Sequence, residues 1–267
     1  MNEIKLDVYS LLEKIRKEKP VIHHLTNWVT IYDCANVVKV LGASPVMAHA
    51  KEEVAQMAKI ASALVLNIGT LSVDFIEAMK IAAASANQKG IPVILDVCGA
   101  GATSLRDEKS FELLDEVKID IIKGNTSEIA RVAGEAVKTK GVDATSVNKD
   151  MVELAKKLTL KYKCTVVVTG KEDIVSDRDK TYIVKNGHEM MTHIVGTGCM
   201  ATSVIGTFAA VNKDLAVAAA AGLACFGIAA ECAAKDSPGP GAFKERLFDC
   251  IYNLDRKTID NMQRIET

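Results

Sequence analysis

A cysteine directly follows two closely spaced glycines in the segment VGTGCMATS, residues 195–203. Gly196 and Gly198 would let successive backbone N–H groups turn toward one point, and a helix beginning there would add the positive end of its dipole. Gly196, Thr197 and Gly198 therefore form a candidate anion hole, with Cys199 in the first helical turn. The alternative is a glycine-rich turn in which Thr197 caps the helix. The spacing alone does not separate the two, and the phosphate-binding pattern GxxxxGK[ST] is not present.

A second candidate is the segment KGNTSE, residues 123–128. Asn125 and Glu128 stand three positions apart and share one side of a first helical turn. An amide and a carboxylate placed in this way could hold Mg²⁺ through water, because magnesium usually keeps several of its waters, and Lys123 could meet a nucleotide phosphate. Taken alone, the segment favours the alternative of a capped helix start in which Glu128 completes a capping box.

Asp96 ends the apolar run PVILD and precedes the glycine-rich segment VCGAGAT. Its carboxylate could organise metal-bound water or a substrate hydroxyl, or it could cap the following loop. Cys98 is interpreted as a packing residue. His23 and His24 have no identifiable orienting partner in the sequence, which favours a structural or substrate-contacting role over general base catalysis.

Apolar, strand-like runs alternate with helical segments along the chain, and these elements must position the candidate residues. Continuous apolar runs such as ALVLNI and PVILD indicate strands that are buried on both faces, as in a parallel sheet. The predicted strands are Val21–Leu25, Ala63–Ile68, Pro92–Asp96, Ile119–Ile122 and Thr165–Thr169, and the predicted helices include Val29–Leu41, Val73–Gln88, Lys109–Val117 and Asp150–Tyr162. Asp173–Ser176 and Thr181–Val184 predict a hairpin at the sheet edge, and the chain after Gly198 is predicted to be helical except at 236–242.

This alternation predicts an α/β fold with a doubly wound, mostly parallel sheet flanked by helices in a single domain, residues 1–267. Ligands of such sheets bind beyond the carboxyl ends of the strands. The polar residues that follow the predicted strands should therefore line one cleft.

Composition narrows the class of protein. The chain has 267 residues, 49% of them apolar, and a formal net charge of -1, which argues against nucleic acid or an anionic membrane surface as a partner. Leu215–Ala234 comes nearest to an uninterrupted apolar run that could span a membrane, but its glycines and Glu231 favour a buried helix of a soluble protein. The N-terminal segment lacks the apolar core of a signal peptide.

Seven cysteines without a CxxC pair predict a reduced, cytoplasmic protein without a zinc site.

The motifs taken together resemble the hydroxyethylthiazole kinases, which have the ribokinase-like fold. The resemblance runs from about residue 10 to about residue 260 and rests on the joint order of GASPVMA, NIGT, GAGAT, KGNTSEI and GTGC. It implies ATP-dependent phosphorylation of the primary alcohol of 4-methyl-5-(2-hydroxyethyl)thiazole for thiamine salvage, with Mg²⁺ as the metal. It also implies a homotrimer with active sites between subunits.

The family pattern also implies roles for particular residues. The expected substrate contacts are Asn27, Met47, Gly69 and Gly196, the expected nucleotide contacts are Lys123 and Thr169, and Asp96 and Cys199 would line the site. Related kinases carry an aspartate where this chain has Cys199, and that aspartate takes the hydroxyl proton. Cys199 is accordingly expected to orient the alcohol as a weak base, with a thiol that is mostly protonated at pH 7.

The chain departs from the family pattern in two places. Val97-Cys98 stands where the family usually has Pro-Val, which leaves the strand end less constrained. Lys123 stands where the family usually has arginine, and a lysine keeps the charge but loses the planar fork that grips phosphate at two points.

Three alternatives stay open at this level. The first is another enzyme of the same fold, such as a hydroxymethylpyrimidine or sugar kinase or an ATP-dependent nicotinamide-hydrate dehydratase. The second is a thiol enzyme in which Cys199 is a covalent nucleophile. The third is a non-catalytic thiazole-binding protein. Consumption of ATP in the presence of the thiazole alcohol separates them.

Overall fold

One mixed sheet organises the computed structural model, which describes residues 3–135 and 144–267 and, for residues 144–149, the backbone only. The strands described are β1 (Glu3–Ile4), β2 (Val21–Leu25), β3 (Ser44–Val46), β4 (Ala63–Asn67), β5 (Val93–Asp96), β6 (Ile121–Asn125), β7 (Thr165–Thr169), β8 (Asp173–Ser176), β9 (Thr181–Val184) and β10 (Ile265–Glu266). Their order across the sheet is β1-β10-β9-β8-β7-β6-β5-β4-β2-β3. Six neighbouring strands are parallel to one another: β7, β6, β5, β4, β2 and β3. The pairs β7–β8, β8–β9, β9–β10 and β10–β1 are antiparallel.

Helices cover both faces of this sheet. They are α1 (Val8–Glu18), α2 (Ile31–Leu41), α3 (Val54–Ile60), α4 (Val73–Lys89), α5 (Ser104–Glu116), α6 (Thr126–Val132), α7 (Ala144–Tyr162), α8 (Thr197–Ala209), α9 (Leu215–Ala234), α10 (Pro240–Asn253) and α11 (Arg256–Met262), with a short 3₁₀ helix at Glu189–His193. Side chains alternate along each strand, so Val65 and Ile94 join the core under α8 and α9, while Leu64 and Leu95 join the core under α4. The central strands β4 and β5 are therefore buried on both faces, as the apolar runs predicted.

The predicted doubly wound α/β fold is confirmed, together with the five main strands and the edge hairpin formed by β8 and β9. The helix predicted to begin at Lys109 begins at Ser104, because the Thr103 side chain accepts a hydrogen bond from Arg106 N and caps it. The short elements β3 and α3 were not predicted, and β10 is a strand in the part of the chain that was predicted to be helical. Strand β3 has only three residues, one of them Pro45, so it carries almost no periodic signal.

Helix α9 is long and apolar enough to cross a membrane by length and composition, but 78% of its most apolar window is buried inside the protein. Its glycines permit this packing. A Cβ on Gly227 would lie 2.6 Å from the backbone of Asn186, and one on Gly222 would lie 3.4 Å from the Phe208 ring. The sequence-based interpretation of α9 as a core helix is therefore confirmed.

Gly206 offers a test of how tightly α8 sits on the sheet. A Cβ added there would overlap Val65 Cγ2 on β4. We expect Gly206→Ala to lower the free energy of unfolding by about 1–3 kcal/mol, because a closely packed core does not absorb an extra methyl group. The matched control is Gly241→Ala in α10, where nothing lies within 4 Å of the added Cβ. Equal melting temperatures for the two variants in calorimetry would contradict this packing.

Candidate active site

Three polar side chains lie side by side on neighbouring strands, at the ends of β4 and β5 and in the middle of β6. The strand register pairs Asn67 with Asp96 and Asp96 with Lys123, so all three point to the face covered by α8. Asp96 Oδ2 accepts hydrogen bonds from Asn67 Nδ2 at 2.9 Å and Lys123 Nζ at 3.3 Å. Thr202 on α8 donates to the same oxygen at 2.6 Å. The Asp96 carboxylate therefore ties three strands to the helix above them.

Asp96 and Lys123 form an ion pair inside the protein, with 1% and 4% of their surfaces exposed. Burial alone would lower the pKa of Lys123. The negative charges of Asp96, Glu128 and Cys199 outweigh burial and raise the pKa above its ordinary value. Lys123 is therefore cationic, and Asp96 Oδ1 is a buried oxygen without a hydrogen-bond partner among the described residues.

Cys199 occupies the first turn of α8, as predicted. Gly196 caps this helix with φ 95°, a left-handed conformation that glycine adopts without strain. The alternative in which Thr197 is the cap is wrong, because Thr197 is the first helical residue and its hydroxyl donates to the carbonyl of Met191 at 3.0 Å. The amides of Asn27 and Asn67 each place Nδ2 3.3 Å from Cys199 Sγ.

Cys98, interpreted from the sequence as a packing residue, is half-buried and stands two residues after Asp96. Hydrogen bonding by Cys98 is the largest cause that lowers the pKa of Cys199 to about 6; burial and Asp96 oppose it, and Thr30 and Lys123 assist. Burial contributes to raising the pKa of Cys98. The pKa of Cys199 thus lies below that of a free thiol, and its role as a base stays a prediction.

Three of the four predicted substrate contacts surround Cys199. Asn27 Oδ1 accepts from the backbone N and the hydroxyl of Thr30, both at 3.1 Å. A Cβ on Gly196 would lie 2.5 Å from Thr30 Cγ2, so the loop before α8 packs directly against the turn that contains Asn27 and Thr30. Gly69 N donates to Asn67 Oδ1 at 2.9 Å, and a Cβ on Gly69 would lie 3.1 Å from Asn27. Asn27, Gly69 and Gly196 thus meet around the thiol.

Met47, the fourth predicted substrate contact, directly follows β3 at the edge of the sheet and is half-buried. Its loop is held by His23, whose Nε2 lies 2.8 Å from the carbonyl oxygen of Ala48. His24 is buried beside Ser203, and burial lowers its pKa to about 4. Both histidines are therefore neutral structural residues in this fold, and the substrate role of Met47 stays a prediction.

Asn125 and Glu128 form the capping box that the sequence left as the alternative. Asn125 Oδ1 accepts from Glu128 N at 3.0 Å, and Glu128 Oε2 accepts from Asn125 N at 2.7 Å. Glu128 Oε1 also accepts from Gly99 N at 2.8 Å. Burial raises the pKa of Glu128, although these two N–H groups lower it. Within residues 3–135 and 144–267, no group of three His, Cys, Asp or Glu side chains could hold a metal directly.

A groove of about 700 Å³ begins at Thr197 and Gly198 and continues past Thr169 at the end of β7. The other lining residues include Asp173, Asn186, His188 and Phe226. Lys123 lies below the start of this groove, because its Nζ would be 3.4 Å from a Cβ on Gly198. Lys123 therefore faces the candidate anion hole, and Thr169 lies further along. A cavity of about 890 Å³ lies at the opposite, amino ends of the strands, beside Asp120 and Thr165.

Sequence reasoning missed three residues that organise the site. Asn67 was noted only as a strand end, and Thr202 could have been found because it stands one helical turn after Cys199. Arg106 donates to the carbonyl oxygens of Ile68, Gly69 and Cys98 at 2.9, 2.8 and 3.1 Å and so joins two strand-end loops. No local pattern marks such a long-range contact.

Lys123 should serve both the fold and the anion hole. We expect Lys123→Met to lower the melting temperature, because it leaves the Asp96 carboxylate buried without a cation. If the anion hole holds the phosphates of ATP, as the family resemblance implies, loss of this charge should also raise the KM for ATP more than the KM for the alcohol.

The double variant Asp96→Asn/Lys123→Met separates these two effects, because it removes both charges. Its melting temperature should recover relative to Lys123→Met, while turnover stays low. Lys123→Arg should retain activity. A Lys123→Met variant with unchanged stability and an unchanged KM for ATP would remove Lys123 from both roles.

Comparison with known proteins places this geometry in one family. The profile of the Hydroxyethylthiazole kinase family matches residues 12–257. Hydroxyethylthiazole kinases from Methanosarcina acetivorans and Methanosarcina mazei are 56% and 54% identical over 255 residues, which is 96% of this chain and 98% of each relative. A solved hydroxyethylthiazole kinase structure from Pyrococcus horikoshii is similar at 37% identity with a TM-score of 0.89, covering 97% of this chain and 98% of that one.

Proposed function

This chain belongs to the hydroxyethylthiazole kinase family, and we propose that the site around Cys199 transfers the γ-phosphoryl group of ATP to the primary alcohol of 4-methyl-5-(2-hydroxyethyl)thiazole, giving the thiazole phosphate for thiamine salvage. The observation that carries this proposal is the position of the thiol. Cys199 lies in the first turn of α8, between two asparagine amides on one side and the Gly196–Gly198 loop on the other.

The alcohol would bind with its oxygen against Cys199 Sγ. The amides of Asn27 and Asn67 fix the sulfur and favour its anionic form, so the thiolate can accept the hydroxyl proton. Phosphoryl transfer passes through a loose transition state in which the nucleophile loses its proton late, so a base of this strength is sufficient. The proton would move from the alcohol oxygen to Cys199 as the new O–P bond forms and the bond from the γ-phosphorus to the bridging oxygen breaks, which releases ADP.

The γ-phosphoryl group would lie in the anion hole. Gly196, Thr197 and Gly198 can turn backbone N–H groups toward it, and the positive end of the α8 dipole adds to the field. The Lys123 ammonium lies directly below Gly198. These positive groups stabilise the charge that spreads over the phosphoryl oxygens, which is the main task of the protein in this reaction.

The remainder of ATP would occupy the groove that leads away from this hole. Its volume of about 700 Å³ is sufficient for a nucleotide, and Thr169 lines it next to Gly170. We assign Thr169 to the nucleotide and Lys123 to its terminal phosphates. The two residues thus contact different parts of one ligand.

Mg²⁺ would bind between Asp96 and Glu128, through water and phosphate oxygens. The unpartnered Oδ1 of Asp96 fits this role, whereas both Glu128 oxygens and the Asn125 amide oxygen already accept backbone N–H groups, so Glu128 and Asn125 would act through their remaining lone pairs. When bound, the ion would neutralise phosphate charge. Asp96 and Glu128 would hold the ion through water from one side, and Lys123 would balance their charge.

The thiazole ring would lie toward β3, where Asn27, Gly69, Gly196 and Met47 border the site. Next to it stand large apolar side chains that are exposed to solvent: Trp28 by 49%, Val29 by 67% and Tyr32 by 76%. Strand β3 is also at the edge of the sheet. An unpaired edge beside exposed apolar residues is suited to subunit contact, and we propose a homotrimer in which a neighbour completes the thiazole site. All seven cysteines are free, which supports a cytoplasmic location.

Cys199 variants test the base. Cys199→Ala should lower kcat by roughly 10²- to 10⁴-fold, as expected for loss of a catalytic base, because the anion hole remains. Cys199→Asp should retain activity, since a carboxylate is ionised at neutral pH. A coupled ATP-consumption assay over a panel of alcohols measures both rates and the substrate preference. Two inactive variants and a covalent adduct on Cys199 in mass spectrometry would instead support a thiol nucleophile.

Assembly should control activity if a neighbouring subunit completes the site. Tyr32→Glu places a charge in the apolar surface beside the site and should yield a folded subunit with strongly reduced turnover. Leu160→Glu is the control. Leu160 is similarly exposed, at 66%, but it belongs to α7, which covers the opposite face of the sheet from α2 and Tyr32. Sedimentation measures the assembly state of each variant, and the coupled ATP-consumption assay on the same samples measures its turnover. A fully active Tyr32→Glu monomer would exclude a shared site.

A further inference from the structure

Glu231, near the end of α9, has no part in the proposed reaction, yet its carboxylate holds one wall of the groove that we assign to ATP. Its Oε1 accepts hydrogen bonds from Asn186 Nδ2 at 3.0 Å and from the backbone N of Gly187 at 2.9 Å. Asn186 and Gly187 both line that groove. The Glu231 side chain is 13% exposed, so a largely buried charge fixes a loop that would face the nucleotide.

Arg264, which follows α11, holds this carboxylate in turn. Its guanidinium donates from Nη1 to Glu231 Oε2 at 3.1 Å and from Nη2 to Glu231 Oε1 at 2.7 Å. Nη2 also donates to the carbonyl oxygen of Lys185 at 2.9 Å. A two-point pair between a guanidinium and a carboxylate fixes the orientation of both groups. Glu231 is therefore held where the loop that follows Lys185 requires an acceptor.

The Asn186 side chain closes the network. Besides its bond to Glu231, Nδ2 donates to the carbonyl oxygen of Met262 at 2.8 Å, and Oδ1 accepts from the backbone N of Arg264 at 2.8 Å. Both amide hydrogens and the amide oxygen of this buried residue are thus used. The loop is tied to the chain segment around Arg264 by side chains as well as by the pairing of β9 with β10.

Helix α9 meets this loop at two successive turns. Gly227 and Glu231 are four residues apart, so they lie on one face of the helix. A Cβ on Gly227 would lie 2.6 Å from the backbone carbonyl of Asn186, which leaves the loop no room to move toward α9. Gly187 has φ 146°, a conformation that other residues rarely adopt. The helix contacts the loop at one turn and anchors it at the next.

The same loop leads to the candidate anion hole. His188 Nδ1 accepts from the backbone N of Met190 at 3.1 Å and caps the 3₁₀ helix Glu189–His193. The carbonyl oxygen of Met191 in that helix accepts from the Thr197 hydroxyl. A displacement of the loop at its anchored end would therefore change the groove wall as far as Thr197.

We propose that Glu231 and Arg264 are positioning residues for the nucleotide, which hold the groove wall in the shape that binds ATP by fixing Asn186 and Gly187. Neither is among the described residues that line the groove itself. This inference rests on the proposed function, because that function places ATP in the groove. The thiazole would lie toward β3, at the other edge of the sheet from β9 and β10. The network should therefore act on ATP and leave the alcohol unaffected.

Arg264→Ala tests this assignment in the coupled assay and in calorimetric titration of the enzyme with ATP. The KM and the Kd for ATP should both rise by roughly tenfold, the effect expected when a hydrogen bond to a charged group is lost. The KM for the alcohol and kcat at saturating ATP should stay near the wild-type values. Arg264→Lys keeps the charge but loses the planar fork, so its ATP affinity should lie between those of Arg264→Ala and the wild type.

Arg256→Ala is the matched control. The side chain of Arg256, on α11, is 48% exposed against 47% for Arg264, and its guanidinium donates to Asp7 and Ser10 at 3.2 Å each. Its loss should leave both KM values unchanged. Glu231→Gln is a second test that preserves the size of the side chain and removes its charge, and it should raise the KM for ATP as Arg264→Ala does.

The outcomes separate this inference from the proposed function. Unchanged ATP affinity in Arg264→Ala and Glu231→Gln would overturn the positioning role. An equal loss of affinity for ATP and for the alcohol would also overturn it, because general destabilisation does not select one substrate. A wild-type enzyme that binds ATP but does not phosphorylate the alcohol would instead overturn the proposed function, while the ATP titrations still report on the groove wall.

Discussion

The buried carboxylate of Asp96 is the interaction on which the site depends. One of its oxygens accepts hydrogen bonds from Asn67 on β4, Lys123 on β6 and Thr202 on α8. A carboxylate taken out of water is costly unless it is paired and hydrogen-bonded, so each of these donors is required for the others to be in place. Because the donors come from three different elements, satisfying one buried charge also sets the position of α8 over the sheet.

The same network prepares the thiol. Asn67 donates one hydrogen of its amide to Asp96, and the same Nδ2 lies within reach of Cys199, while its carbonyl oxygen accepts from Asn27 and Gly69. The amide of Asn67 is thereby fixed in orientation and can present an N–H to the sulfur. A side chain that is held in this way does not have to reorganise when a ligand binds, and such preorganisation is a main source of enzymatic rate enhancement. The position of Asn67 beside Cys199 therefore depends on the buried charge of Asp96 on the neighbouring strand.

The residues that cap α6 lie beside the candidate site. The sequence left two alternatives for Asn125 and Glu128, and the structure shows the capping box. The carboxylate that completes the box also accepts from Gly99 and contributes to the charge that keeps Lys123 protonated. A residue that ends a strand and begins a helix must satisfy free backbone N–H groups, and at the carboxyl edge of a parallel sheet this requirement places acids next to the ligand.

Local patterns by themselves determined the strands, most helices, the first turn of α8 and the set of polar strand ends, because apolar periodicity and glycine spacing act over a few residues. The joint order of the motifs also determined the family. Only the tertiary structure decided which side chains touch: that Lys123 pairs with Asp96 below Gly198, that Thr202 completes the network, and that Asn27 and Asn67 lie beside Cys199. These contacts join residues far apart in the chain. They depend on strand register and on the packing of α8 against the sheet, which a local pattern of residues does not encode.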